Sequence, residues 1–392
     1  MRQFYKQIHT TMRKSFIYIT LLLLAVMALG GCKERQTPDT SHTSLWPAYD
    51  PATEKWGFIN KKGEFAIYSI FDHVGRFSCG YARVWIPGTD TPIFIDPFNR
   101  IYQGTYDCAE DFYYKYARVL LNGNYGLMNT SFDMSCQPVY YEVRNMSIDG
   151  LAAAKLSSKL PYGYINKKGE WKIKANYDEA SDFDHGIAVV RVGDDYGAIN
   201  KDGAYVIPLS RNRLYQGGQG LVFFEEKGKF GAKDKEGNVV IQALYDSLCL
   251  CADNDLVPAF IDGKCGYIST SGATQIAFTY DDASPFCDGY AAVYTNGITQ
   301  IINKKGKPII TLQSNERLYT NFQNGLALVQ AQINDGSILY KYIDTDNQVV
   351  YYWSIPDTRK APMQDNEKNS FHNLLKHTLH FDSRELSNNN DL

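Results

Sequence analysis

The sequence predicts an all-β protein, a tandem array of about nine three-stranded units of ~35 residues each. Three observations carry that expectation. Ile-Asn-Lys-Lys-Gly recurs at Ile59–Gly63, Ile165–Gly169 and Ile302–Gly306. An anchor residue followed by Gly recurs at Trp56-Gly57, Tyr125-Gly126, Tyr162-Gly163, Tyr196-Gly197, Phe230-Gly231 and Cys265-Gly266, and weaker copies at Pro92, Thr299 and Tyr340 keep the register. A downstream Phe…Gly-x-Ala-x-Val recurs at Phe77–Val84, Phe183–Val190, Phe286–Val293 and Phe322–Val329, with Lys115 in the Gly place of Phe112–Val119.

Each element has a physical reading. Phe58-Ile59-Asn60 is a strand, Lys61-Lys62-Gly63 a turn, and Glu64 to Ile67 the returning strand. Asn before a polar run that ends in Gly is hairpin chemistry, because both residues tolerate positive φ. Gly-x-Ala-x-Val alternates at period two and reads as a third strand, its Gly marking a bend. Between the two motifs lies an aromatic–Asp pair, as in Phe71-Asp72, Tyr106-Asp107, Tyr177-Asp178, Tyr245-Asp246 and Tyr280-Asp281. The anchor Gly is expected to allow close packing on a neighbouring unit, with the aromatic filling the space between units. One such unit cannot bury its own apolar face, so many must stack.

The unit resembles the WG repeat of bacterial proteins, in its Trp-Gly, its Asn-Lys-Gly turn and its Gly-x-Ala-x-Val. The resemblance covers about residues 50 to 350, although Trp56 alone keeps the Trp. It implies an architecture and transfers no catalytic residue. Two architectures satisfy the pattern, an open solenoid or superhelix and a closed β-propeller. The open array is the expected form. Three strands in ~35 residues fall short of the usual four-stranded blade of roughly 40 residues, and the degenerate end copies read as caps.

Composition sets the wider bounds. Of 392 residues, 44% are hydrophobic, enough for a sizeable core, and 29 Tyr with 20 Phe favour strands. A net charge of −3 argues against nucleic acid as a partner. The N-terminus reads as an address. Arg2, Lys6, Arg13 and Lys14 precede an apolar run from Phe16 to Leu29, too short to span a bilayer but suited to a signal segment. Met12 is an alternative initiator. The run ends at Leu29-Gly30-Gly31-Cys32, which resembles a bacterial lipobox and implies lipidation of Cys32. Residues 1–31 are then the signal peptide, 32–50 a tether, 51–352 the array, and 353–392 a polar segment with one short helix carrying Phe371, Leu374, Leu375 and Leu379. Cleavage removes four basic residues and leaves a charge of about −7. Lys33 after the Cys, where Asp would suggest inner-membrane retention, points to the outer membrane.

Candidate chemistry is sparse. His372, His377 and His380 cluster near the C-terminus without completing a metal set, and read as a solvated helix face. His73 and His185 read as loop positions. Cys249, Cys251, Cys265 and Cys287 read as packing residues, and without Cys32 the remaining seven Cys cannot all pair in a monomer. Gly193-Asp194-Asp195 and Asp281-Asp282 read as solvated hairpin ends. Lys61-Lys62, Lys167-Lys168 and Lys304-Lys305 read as solubilising turns. The expectation is therefore no catalytic, cofactor or metal site, and no cofactor. The expected function is a non-enzymatic, lipid-anchored binding or scaffold module of the cell envelope, contacting the membrane through Cys32 and a protein, peptide or glycan through the array. The alternatives are an envelope hydrolase with its site in a closed ring, and a mechanical spacer.

Overall fold

The computed structural model describes residues 44–250, 256–333 and 336–355. Cys32, Cys251, the segment read as a signal, and the segment expected to form a short C-terminal helix with its three His lie outside the described residues. Those residues form nine antiparallel sheets, spanning 46–71, 73–102, 108–140, 142–177, 179–210, 214–245, 247–280, 282–311 and 316–355. We number them blades 1 to 9. Blades 2 to 9 have four strands in simple up-and-down order, and blade 1 has three.

The expected three-stranded unit gains a strand because the aromatic–Asp pair leads directly into one. In blade 5, Glu179–Ala180 pairs with Ile187–Val192, which pairs with Asp195–Asn200, which pairs with Tyr205–Ser210. A two-residue strand carries no readable periodicity. The Asp ties down a turn. Asp178 Oδ2 accepts from Gly193 N, between the second and third strands, at 2.6 Å. Asp107, Asp246 and Asp281 take the same bond from Asn122, Asp262 and Asn296. The other turn is held by the Asn of Ile-Asn-Lys-Lys-Gly. Asn166 Oδ1 accepts from Lys168 N and Glu170 N, and Asn60 and Asn303 repeat both bonds.

The anchor Gly faces its own blade, not the neighbouring unit as expected. A Cβ on Gly163 would stand 2.6 Å from Ile173 O and 2.7 Å from Ala175 N, both in the adjoining fourth strand. The fourth strand bulges there. Its register runs Tyr162↔Tyr177 and then Tyr164↔Ile173. Gly57, Gly126, Gly231 and Gly266 show the same close approach and the same shift.

The ring closes, and this overturns the open array. Hairpin glycines pack on the fourth strand of the blade before their own: Gly203 on Ile173, Gly237 on Val206, Gly272 on Val240 and Gly306 on Ile276. Gly63 of blade 1 makes that contact with Val350 of blade 9. One buried cluster joins Trp46, Tyr49, Trp56 and Phe58 to Leu326, Tyr342, Trp353 and Ile355. Trp46 Nε1 donates to Gln323 O, Tyr342 OH to Pro47 O and Tyr351 OH to Tyr49 O, at 3.1, 2.9 and 3.0 Å. The end copies that read as caps are the two sides of this seam. The first strand of blade 1, Trp46–Asp50, lies within the 32–50 segment read as a tether, and the last strand, Val349–Ile355, runs into the segment read as polar.

Between blades the core is aromatic. The Phe of the Phe…Gly motif packs on the strand before the last in the preceding blade: Phe77 on Phe58, Phe112 on Phe94, Phe183 on Tyr164 and Phe286 on Tyr267, with centroids 4.7 to 5.0 Å apart. Tyr164 and Tyr267 satisfy their buried hydroxyls on Ser181 O and Ser284 O of the next blade.

Candidate functional site: a cavity at the inner edge of blades 4 to 6

The first strands of successive blades converge. Tyr113 of blade 3 feels the charges of Asp182 and Asp184 in blade 5, across the whole of blade 4. Next-nearest blades come within electrostatic reach of one another where a closed ring narrows, so the first strands form its inner edge. There a cavity of about 240 Å³ opens between the first strands of blades 4, 5 and 6, with the second strand of blade 5 behind it.

One repeated position places the side chains. Its backbone N–H donates to a carbonyl in the second strand of the same blade, and it is held by Gly75, Glu110, Arg144, Ser181, Cys249 and Ser284 in turn. The backbone bond leaves the side chain free to vary. Arg144 occupies it in blade 4 and lies over the ring of Tyr162, 5.7 Å from its centroid. Ser181 occupies it in blade 5, where its Oγ accepts from Val189 N at 2.9 Å and lies 3.1 Å from Gln216 Oε1 of blade 6. The Ser181 hydroxyl also lies 3.1 Å from Asp182 O, so its one proton serves that carbonyl and Gln216 Oε1 between them. Gln216 Nε2 is left buried with no hydrogen-bond partner among the described residues.

The other charges of the cavity are engaged. Arg191 donates to Glu179 Oε1 at 2.7 Å and to Gly193 O. Arg213 bonds the hydroxyls of Tyr196 and Tyr215, which raises its already high pKa further. Arg144 has no hydrogen bond from its guanidinium to any described residue.

Behind Arg144 lies Asp182, the residue after Ser181. Its repeat equivalent, Asp111, is held by Arg83 from the second strand of the preceding blade. In blade 4 the residue at the Arg83 position is Ala153, matched by the backbone bonds Gly75 N→Arg83 O and Arg144 N→Ala153 O. Asp182 therefore lacks that partner, and its Oδ1 is buried and unbonded. Burial pushes its carboxyl above the usual range, and Arg144 and Arg118 only partly oppose this.

The residues singled out from sequence lie elsewhere. His185 is on an exposed turn, 2.9 Å from Asp184, and His73 stacks edge-on with Trp85. Asp194 and Asp195 both pair with Arg211, and Asp281 holds Lys264. The lysine turns are exposed. Cys249 and Cys265 are buried, and burial pushes the Cys249 thiol up to about 12. Among the described residues no three His, Cys, Asp or Glu side chains are grouped to hold a metal ion. Arg144 and Ser181 were missed because their position varies in residue type from unit to unit, and Gln216 because it lies outside the repeated motifs.

Comparison with known proteins agrees with the closed ring. The crystal structure of a eukaryotic initiation factor, 11% identical, matches with a TM-score of 0.56 over 81% of this chain and 97% of that one. That likeness concerns fold alone, a nine-bladed β-propeller. The Hsv2 structure from Kluyveromyces marxianus, 12% identical, covers 64% of this chain and 96% of its own with a TM-score of 0.36, too low to carry an argument. No curated protein matches the sequence. The WG containing repeat matches six segments, at residues 56–84, 125–159, 162–194, 230–265, 266–297 and 301–331. The Asn-capped turn, the anchor Gly and the inter-blade Phe fall within them, and the chain belongs to the WG-repeat family.

Proposed function

We propose that this chain is a non-catalytic binding module of the bacterial cell envelope, anchored by a lipid on Cys32, that holds a partner at the inner edge of its propeller. One observation carries the reading. The cavity between blades 4 and 6 is lined by donors that no described residue engages, the buried Gln216 Nε2 and the Arg144 guanidinium. Buried donors without partners cost about 1–3 kcal/mol each, and a ligand or ordered water recovers that cost. The lipobox and the short tether motivate the address.

Two measurements test it. Fractionation of cells should find the protein with membranes, and Cys32→Ala should release it to the soluble fraction. Affinity capture from envelope extract, beside a glycan panel, should return a specific partner. Failure of both capture arms overturns the binding reading, and unchanged fractionation of the Cys32 variant overturns the anchor.

A further inference from the structure

We infer that the cavity between blades 4, 5 and 6 is an oxyanion site: it takes a small ligand bearing a carboxylate or phosphate, held by Arg144 and Gln216. The inference deepens the binding reading above and rests on it.

Both unused polar groups of the cavity wall are donors. Gln216 Nε2 is buried and unpartnered, and Ser181 Oγ lies 3.1 Å from the other end of its amide. The Arg144 guanidinium lies over Tyr162, and its N–H groups meet no described acceptor. A neutral hydroxylated ligand would need acceptors as well, and each acceptor of the wall already takes one bond. Glu179 is taken by Arg191, Ser181 Oγ by Val189 N, and the Tyr196 and Tyr215 hydroxyls by Arg213. Charge points the same way. Arg191 and Glu179 offset each other, and Arg144 and Arg213 line the cavity without an ion pair to any described residue, with Glu142 and Asp182 within electrostatic reach of Arg144. Asp182 lies behind Arg144 and does not line the cavity. Planar guanidinium donors favour bidentate recognition of carboxylate or phosphate.

Size narrows the class. At about 240 Å³ the space lies below the ~300 Å³ at which drug-sized pockets begin. The occupant is one sugar acid or amino acid in size, or the terminal group of something longer. Val189, Val190 and Leu214 give it one apolar wall.

Isothermal titration of the purified protein tests this with glucuronate, glutamate and inorganic phosphate, against glucose and glucuronamide as neutral counterparts. At least one anion should bind saturably, ten-fold or more tighter than the neutral probes, and more weakly as salt rises. Carboxylate against phosphate preference then identifies which oxyanion the site takes. Arg144→Gln should weaken the bound anion at least ten-fold, and Gln216→Leu should weaken it several-fold. Arg211→Gln, which changes a cation outside the cavity, should bind as wild type, and matched thermal melts show that all three variants fold. Binding of no anion, equal binding of the neutral probes, or wild-type affinity in folded Arg144→Gln each overturns the inference. Envelope capture separates the two levels. A partner retained equally by wild type and Arg144→Gln leaves the binding module standing and removes this site; capture lost in both removes the module.

Discussion

Blades 4 and 8 show what the family's Gly does. In blade 4, Gly163 admits the backbone of the fourth strand, which bulges and turns after Tyr177 straight into blade 5. In blade 8 the same position is Gln300, and the fourth strand pairs without that bulge, Gln300↔Thr311 and then Ile301↔Ile310. Its chain needs the longer connection 312–315 to reach blade 9. Blade 9, with Lys341 at the position, likewise runs Tyr340↔Trp353 and Lys341↔Tyr352 in plain register. The Gly therefore does not space neighbouring units. It permits a bulge that redirects the chain, and where it is lost the strand stays straight and a loop makes the step.

The largest effect should come from the straight strand of blade 9, which delivers Trp353 to the seam. Trp353 is 1% exposed and stacks on Tyr340, with Trp56 of blade 1 edge-on at 5.9 Å. Trp353→Ala should cost about 3–5 kcal/mol in denaturant unfolding; a loss below about 1 kcal/mol would mean that the seam contributes little. Next comes a reciprocal exchange. Gly163→Gln should cost about 2–3 kcal/mol, because its Cβ meets backbone that has nowhere to go, whereas Gln300→Gly should cost about 1 kcal/mol or less. Equal costs would refute the role assigned to the Gly.

Smaller is the turn of blade 3. Tyr114 and Lys115 adopt φ of 44° and 70°, where blades 5 and 8 place His185-Gly186 and Asp288-Gly289. Lys115→Gly should raise stability by about 1 kcal/mol in thermal melts. Destabilisation instead would show that the Lys side chain supports the turn.

The smallest effect is read as a slope against pH. Asp182 holds its proton in the folded state above the ordinary carboxylate range. Its contribution is thus fully favourable at low pH and is lost as pH rises through that raised value. Asp182→Asn should flatten this loss, and its melting temperature relative to wild type should climb from about pH 4 towards neutrality. A difference that is constant with pH would exclude this titration.

Much of this was legible beforehand. The period, the Asn-capped turn and the inter-blade Phe repeat often enough to be read directly. The two-residue strand after Asp178 was not legible, because it is defined by its partner strand and not by its own pattern. Ring closure was hidden for a different reason. It is the sum of many small rotations between blades, and no residue encodes the total. The cavity escaped because repetition reveals only what is shared, while the position that carries Arg144 and Ser181 varies in residue type from blade to blade.

The contact of Gly63 on Val350 is the same one that Gly203, Gly237, Gly272 and Gly306 make on their own predecessors. Since the join is an ordinary boundary with one covalent link omitted, duplicating or deleting a unit would not lengthen or shorten a rod. It would leave a wedge-shaped gap or force one blade out, so descendants of this gene can change their number of copies only by altering every inter-blade angle together.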